Sequence, residues 1–151
     1  MRIAVGSDER TVLTDFLVEE LKMRKMEIVA HGALLDGEDP NWPVVAGRVA
    51  AEVSEGRCHQ GVLLCWTGTG VSITANKVPG IRAALCIDAE TARGARLWND
   101  ANILCMSLRL TSPQIASEIL DAWFSVAEAE SEELNNIQKV HLLDSQRAHR
   151  T

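Results

Sequence analysis

Val62-Leu63-Leu64-Cys65 is an uninterrupted apolar run of strand length, followed by Trp66-Thr67-Gly68-Thr69-Gly70 and then Val71-Ser72-Ile73-Thr74-Ala75-Asn76-Lys77. A strand without polar alternation is covered on both faces, as strands inside parallel sheets are. Gly68 and Gly70 permit a tight turn and close backbone approach, and the residues after them read as the first turns of a helix. Together these make an anion site, because the first N–H groups of a helix lack intrahelical acceptors and carry the positive end of its dipole. Donors of that kind also favour a thiolate beside them. Cys65 is therefore the candidate reactive group. The competing reading is that cysteine is often buried as a small hydrophobe. Thr67, Thr69 and Ser72 weigh against it, since they put hydroxyls beyond the carboxyl end of a strand, where open α/β sheets hold ligands. The turn has neither the Gly-Lys-Ser/Thr ending of a Walker loop nor a Gly-x-Gly-x-x-Gly spacing, so alone it specifies a small anionic or polyhydroxylated ligand.

Around this unit, strands alternate with amphipathic helices. Arg2 to Gly6 reads as a strand ending at the polar turn Ser7-Asp8-Glu9-Arg10, and Val12, Leu13, Phe16, Leu17 and Leu21 mark a helix with one buried face. Met26 to Ala30 is a second strand, and Gly32 to Pro43 reads as a loop whose one aromatic residue is Trp42. Val44 to Ser54 reads as a helix closed by Gly56. Beyond the central unit, Ile81 to Ile87 is a strand, and Asp88 caps a helix from Ala89 to Leu97 that Asn99-Asp100 breaks. Ala101 to Met106 is the fifth strand, and Ser112-Pro113 opens a helix burying Ile115, Ile119, Leu120 and Trp123. After the acidic stretch Glu128 to Glu133, a last helix from Ser131 carries Leu134, Ile137, Val140 and Leu143. Five strands separated by helices, with no hairpin signal, predict right-handed crossovers and a doubly wound three-layer α/β/α fold with a parallel sheet. The last helix has no sheet face left to cover, which predicts that it packs on another subunit.

At 151 residues the chain is one domain, large enough for a core without staples. Cys58, Cys65, Cys86 and Cys105 show no Cys-x-x-Cys pairing and sit mostly in or beside apolar runs, so they read as reduced thiols of a cytoplasmic protein. The lack of a resolving neighbour disfavours a redox role. No secretory segment or membrane-length apolar run is found. A formal charge of −6 with dispersed basic residues argues against nucleic acid, and the basic cluster Arg147-Ala148-His149-Arg150 reads as a solvated tail.

Over essentially its whole length the sequence resembles the ribose-5-phosphate isomerase B family, which includes the galactose-6-phosphate isomerase subunits. The resemblance is carried by Ile3-Ala4-Val5-Gly6-Ser7-Asp8, by Gly61 to Cys65 with Thr67-Gly68 and Gly70 to Ile73, and by Ala75-Asn76-Lys77. It continues through Gly80 to Ala83, Asn99-Asp100-Ala101-Asn102, Ser107-Leu108-Arg109 and Asp121-Ala122-Trp123. It implies a Rossmann-like domain over residues 1–127, completed by a C-terminal helix and tail at 128–151 that contacts a partner. It also implies a homodimer or a tetramer made of two such dimers, sites between subunits, and neither metal nor organic cofactor. The implied activity is aldose–ketose isomerisation of a sugar phosphate through a cis-enediolate. By match, Cys65 is the base as its thiolate and Thr67 assists proton movement at the sugar oxygens. Backbone N–H groups from Gly68 to Ile73, including Gly70, Val71 and Ser72, form the anion hole. Asp8 and Asn99 match positions that hold sugar hydroxyls, although on sequence alone Asp8 serves equally as a turn residue or cap and Asn99 as a helix stop.

The departures bear on substrate. Glu9 stands where the family commonly has His, and Trp98-Asn99-Asp100 where it has the His-Asn-Asp that opens the sugar ring. An indole N–H is a donor only, so Trp98 is no acid or base. The family's basic cluster on the last helix becomes Asn135, Asn136 and Lys139, which weakens bidentate phosphate recognition, while Arg109 is retained and by match reaches the partner's site. Trp66 replaces a small residue, and either occupies part of the site or packs on the turn. The implied substrate is a short open-chain sugar phosphate, such as a tetrose phosphate, or a sugar held less through phosphate. The alternative is a non-catalytic or heteromeric subunit that binds a sugar ligand.

Overall fold

In chain order the elements are β1 (Arg2–Ser7), α1 (Val12–Met23), β2 (Glu27–Gly32), α2 (Trp42–Ser54), β3 (Gln60–Cys65), α3 (Thr69–Ala75), β4 (Ala83–Leu85), α4 (Ala89–Asn99), β5 (Ile103–Ser107), α5 (Pro113–Phe124), a 3₁₀ turn (Ser131–Glu133) and α6 (Leu134–Ala148). This computed structural model describes residues 1–148; His149 and Arg150 of the basic tail lie outside the described residues. The strands form one parallel sheet in the order β2-β1-β3-β5-β4, with β3 in the middle as its apolar sequence requires.

Strand alternation splits the core in two. Ile3, Val5, Val62, Leu64, Leu104 and Met106 face the layer of α1, α4 and α5, where Leu17, Leu21, Ile119, Leu120 and Trp123 are fully buried. Ala4, Leu63, Cys65, Ile103 and Cys105 face α2 and α3, meeting Val45, Val49, Val71 and Ala75. Each such large side chain contributes about 1.5–3 kcal/mol by leaving water. The polar end of the buried Trp123 is satisfied, since its Nε1–H donates to Gln60 Oε1 at 2.8 Å.

Several helix boundaries fall where the sequence puts them. Ser112 Oγ accepts from Ile115 N–H ahead of Pro113, Asp88 Oδ1 accepts from Thr91 N–H, and Gly56 takes φ 73° just past α2. Others move. The strand expected from Ile81 to Ile87 shrinks to Ala83–Leu85, because β4 is an edge strand paired only with β5 and the chain at Ile81 is still turning, with its N–H bonded to Val78 O. Trp42 belongs to α2 and not to the preceding loop: Pro43 suits a first turn, and Val44 and Val45 N–H both reach Asn41 O. Asn99 is the last residue of α4, and it is Asp100, left-handed at φ 47°, that stops the helix. No helix among the described residues is long and apolar enough to cross a membrane.

Because β1 leads outward to β2 on one side and β3 leads to β5 and β4 on the other, the order reverses between β1 and β3. Helices α1 and α3 accordingly leave those strands toward opposite faces and open a crevice at their carboxyl ends.

Candidate active site

Asp8 and Cys65 flank that crevice. The β1–β3 register pairs Gly6 with Leu63 and Ser7 with Leu64, so Asp8, in the bend just past β1, and Cys65, the last residue of β3, stand at adjoining strand ends. Asp8 Oδ1 is buried and has no hydrogen-bond partner among the described residues. Burial, then the charge of the neighbouring Glu9, raises the Asp8 carboxyl above the usual carboxylate range. Glu9 itself is exposed, with its backbone tied to Ser7 Oγ.

Cys65 is 5 % exposed, and its carbonyl anchors the turn by accepting from Gly68 N–H at 3.2 Å and Leu108 N–H at 2.9 Å. Gly68 is left-handed at φ 76°, and a Cβ there would come within 2.9 Å of the Met106 carbonyl and 2.6 Å of Leu85. Only glycine fits that position. Gly68 N–H and Ser72 N–H are used inside the turn, the latter by Gly68 O. Of the N–H groups from Gly68 to Ile73 expected to form an anion hole, those of Thr69, Gly70 and Val71 are the first-turn groups that lack intrahelical acceptors. Val71 contributes only its backbone, since its side chain is fully buried. Thr67 Oγ1 lies 2.7 Å from Thr69 Oγ1.

The other three thiols belong to the packing. Burial pushes Cys105 up strongly, Cys86 up to about 12 and Cys58 up, so all three stay protonated near neutrality. All four cysteines are free and buried.

Trp98 and Asn99 lie elsewhere. They end α4, whose start follows the carboxyl end of β4, so they sit at the opposite, amino edge of the sheet, across roughly 15 Å of strand. Asp100 fixes them: its Oδ2 accepts from Arg82 Nη2 at 2.9 Å, its carbonyl from Arg82 Nε at 2.7 Å, and Arg96 Nη1 lies 3.5 Å from Oδ1. The Trp98 ring folds back over Gly94. Both residues line a cavity of about 560 Å³ between α6 and the β4–α4 edge, shared with Glu133, Asn136, Val140 and His141. Asn135 and Lys139 are exposed and do not line it, because helical spacing puts 136, 137, 140 and 141 on one face and 135 and 139 beside it. Arg109 stays at the Cys65 edge, its N–H bonded to Trp66 O at 3.1 Å and its side chain exposed. A single chain thus unites Asp8, Cys65, Trp66, Thr67 and the Gly68–Ser72 turn, and leaves Trp98 and Asn99 at its far end.

Sequence reading missed two contributors. Glu133 is a cavity residue that its acidic stretch disguised as a solvated connection. Trp42 rests on Gly70, its ring atoms 3.0–3.3 Å from where a Cβ would stand. The signal for Trp42 was its place just before Pro43, which marks a helix start at the crevice edge.

The family described as Ribose/Galactose Isomerase matches residues 3–140. A D-erythrulose-4-phosphate isomerase of Pectobacterium atrosepticum is 32 % identical over 150 residues, covering 99 % of both chains. A ribose-5-P isomerase B of Listeria innocua is 40 % identical over 124 residues, covering 82 % of this chain and 83 % of the other. The solved structure of Clostridium thermocellum ribose-5-phosphate isomerase B matches with TM-score 0.89 and 33 % identity, over 97 % of this chain and 99 % of that one.

Proposed function

The chain belongs to the ribose/galactose isomerase family and is a sugar-phosphate aldose–ketose isomerase; from that premise we propose that its substrate is a short open-chain sugar phosphate of four carbons and that Cys65 is its base. The observation that carries the reading is that Cys65 and Asp8 stand at the adjoining carboxyl ends of β3 and β1, with a buried Asp8 oxygen lacking a partner among the described residues. A sugar hydroxyl supplies the donor that this oxygen lacks.

In the ketose-to-aldose direction the Cys65 thiolate takes a proton from C1, and the electron pair moves to give a cis-enediolate with its negative charge on O2. First-turn N–H groups of α3 stabilise that oxygen. The proton returns to C2 while the O1 hydroxyl loses its own, with Thr67 and Thr69 relaying between the oxygens. Nothing is oxidised or reduced overall.

Substrate length follows from Trp98. The indole has no acid or base function with which to open a ring. A four-carbon aldose phosphorylated on O4 has no free hydroxyl able to close a five-membered ring, so it needs no opener. The relative that aligns end to end with this chain is named for erythrulose 4-phosphate, which supports the same reading. Self-association is part of it, since Trp98, Asn99 and the α6 cavity lie at the edge opposite Cys65 and a second copy of the chain brings such an edge to Cys65. Exposed Leu134, Val140, Leu142 and Leu143 on α6 offer an apolar contact for it. The same separation favours a second reading, in which this chain is one subunit of an unlike pair and binds sugar without turning it over alone.

Incubation in deuterated water with tetrose, pentose and hexose phosphates and the free sugars separates these. Exchange at C1 and C2 with a four-carbon sugar phosphate, reduced at least 10³-fold in Cys65→Ala, is the expected result. Undiminished exchange in that variant removes Cys65 as base, and no exchange across the panel favours the unlike-subunit reading.

A further inference from the structure

Three of the four tryptophans stand well exposed, Trp42 at 44 %, Trp66 at 59 % and Trp98 at 44 %, while Trp123 is fully buried. An indole carries about 150–250 Å² of surface that folding would ordinarily cover. Trp66 and Trp98 are already candidate site residues by their neighbours Cys65 and Asn99. Trp42 is placed near the site only by its contact with Gly70, and nothing in its own helix explains its exposure.

Its position is fixed from two sides. The backbone is set by the first turn of α2, with Pro43 next in sequence and the N–H groups of Val44 and Val45 held by Asn41 O at 2.9 and 3.0 Å. The ring is set by Gly70, with Cε3, Cδ2 and Cζ3 at 3.0, 3.2 and 3.3 Å from the place of a Cβ. Glycine at 70 therefore lets the indole lie directly on the backbone of the α3 first turn, whose N–H groups serve the reacting oxygen. Beyond that contact Trp42 remains 44 % exposed, beside a turn that begins at Cys65.

We propose that Trp42 is a specificity-determining residue: its indole walls the α2 side of the Cys65–Gly70 turn and limits the carbon chain that can lie over it. The inference rests on the four-carbon isomerase reading and names the wall that enforces it. Trp98 withholds ring opening at one edge, and Trp42 restricts length at the other. A residue with only a folding role would lower activity toward all substrates alike, whereas a wall changes the ratio between them. One carbon unit against an apolar wall is worth about 10–200-fold in discrimination.

The test compares wild type, Trp42→Ala and Trp42→Phe. It reads kcat/KM with four-carbon and five-carbon ketose phosphates, and calorimetric affinities for the unreactive four-carbon and five-carbon aldonate phosphates. The expected result is a shift of at least tenfold toward the five-carbon ligand in Trp42→Ala, in both readouts, with Trp42→Phe keeping the wild-type ratio and all three proteins eluting at the same size. A ratio that stays put in Trp42→Ala overturns the inference, whether or not overall activity or oligomeric state changes. If the wild type turns over neither sugar, the four-carbon reading fails by itself, and the ratio of aldonate affinities still decides the role of Trp42.

Discussion

At Asp8, burial and the charge of Glu9 both tighten the carboxyl's hold on its proton in the folded chain. A carboxyl whose folded value is raised contributes stability that is complete below the ordinary carboxylate range and declines as pH rises through the raised value. Asp8→Asn should therefore unfold at a higher temperature than wild type at pH 7, with the difference closing below about pH 4, as calorimetry between pH 3 and 8 will read. On the proposal that the Asp8 carboxylate accepts from the sugar, the same stabilised variant should turn over substrate more slowly. In sequence Asp8 reads as a turn residue or cap, and by resemblance as a position that holds sugar hydroxyls. Its orphaned oxygen was not, because it depends on which strand lies beside β1, and that neighbour, β3, follows in sequence only after two helices and β2.

Among the elements, α5 shows how local chemistry sets a boundary that packing then uses. Ser112 Oγ caps the helix through Ile115 N–H at 3.2 Å, and the helix delivers Ile119, Leu120 and Trp123 to the core. Ser112→Ala should cost about 1 kcal/mol in urea denaturation, and Ser112→Gly only a few tenths. Caps of this kind were legible at Ser112, Asp88 and Gly56 because each needs only its own neighbours in sequence. The β4 limits were not, since an edge strand extends only as far as its one partner supports it, and Asn76 adds a side-chain brace by bonding both Ala83 N–H and Ala83 O. Trp42 escaped for a similar reason. Its loop-like surroundings read as irregular, and only the approach of α3 gives the ring a surface to rest on.

For the whole molecule, the decisive fact is that the ends of α4 and β3 lie at opposite edges of one sheet. If active sites form between copies, Cys65→Ala and Asn99→Ala variants, each inactive alone, should regain about a quarter of wild-type activity when refolded together in equal amounts, since half the dimers are mixed and each has one intact site. Recovery of no activity would place both residues' work within one chain, or show that copies do not exchange. The sequence by itself determined the alternation of strands and helices, the caps, the buried strand ending in Cys65 and the glycine turn after it, because each is fixed by periodicity or by interactions within a few residues. Tertiary structure decided that Asp8 and Cys65 end neighbouring strands, that Trp42 lies on Gly70, that Glu133 and Asn136 line the cavity while Asn135 and Lys139 do not, and that Trp98 and Asn99 stand apart. Those facts depend on strand order and on the rotation of whole helices, which arise only when distant segments bury their apolar faces together.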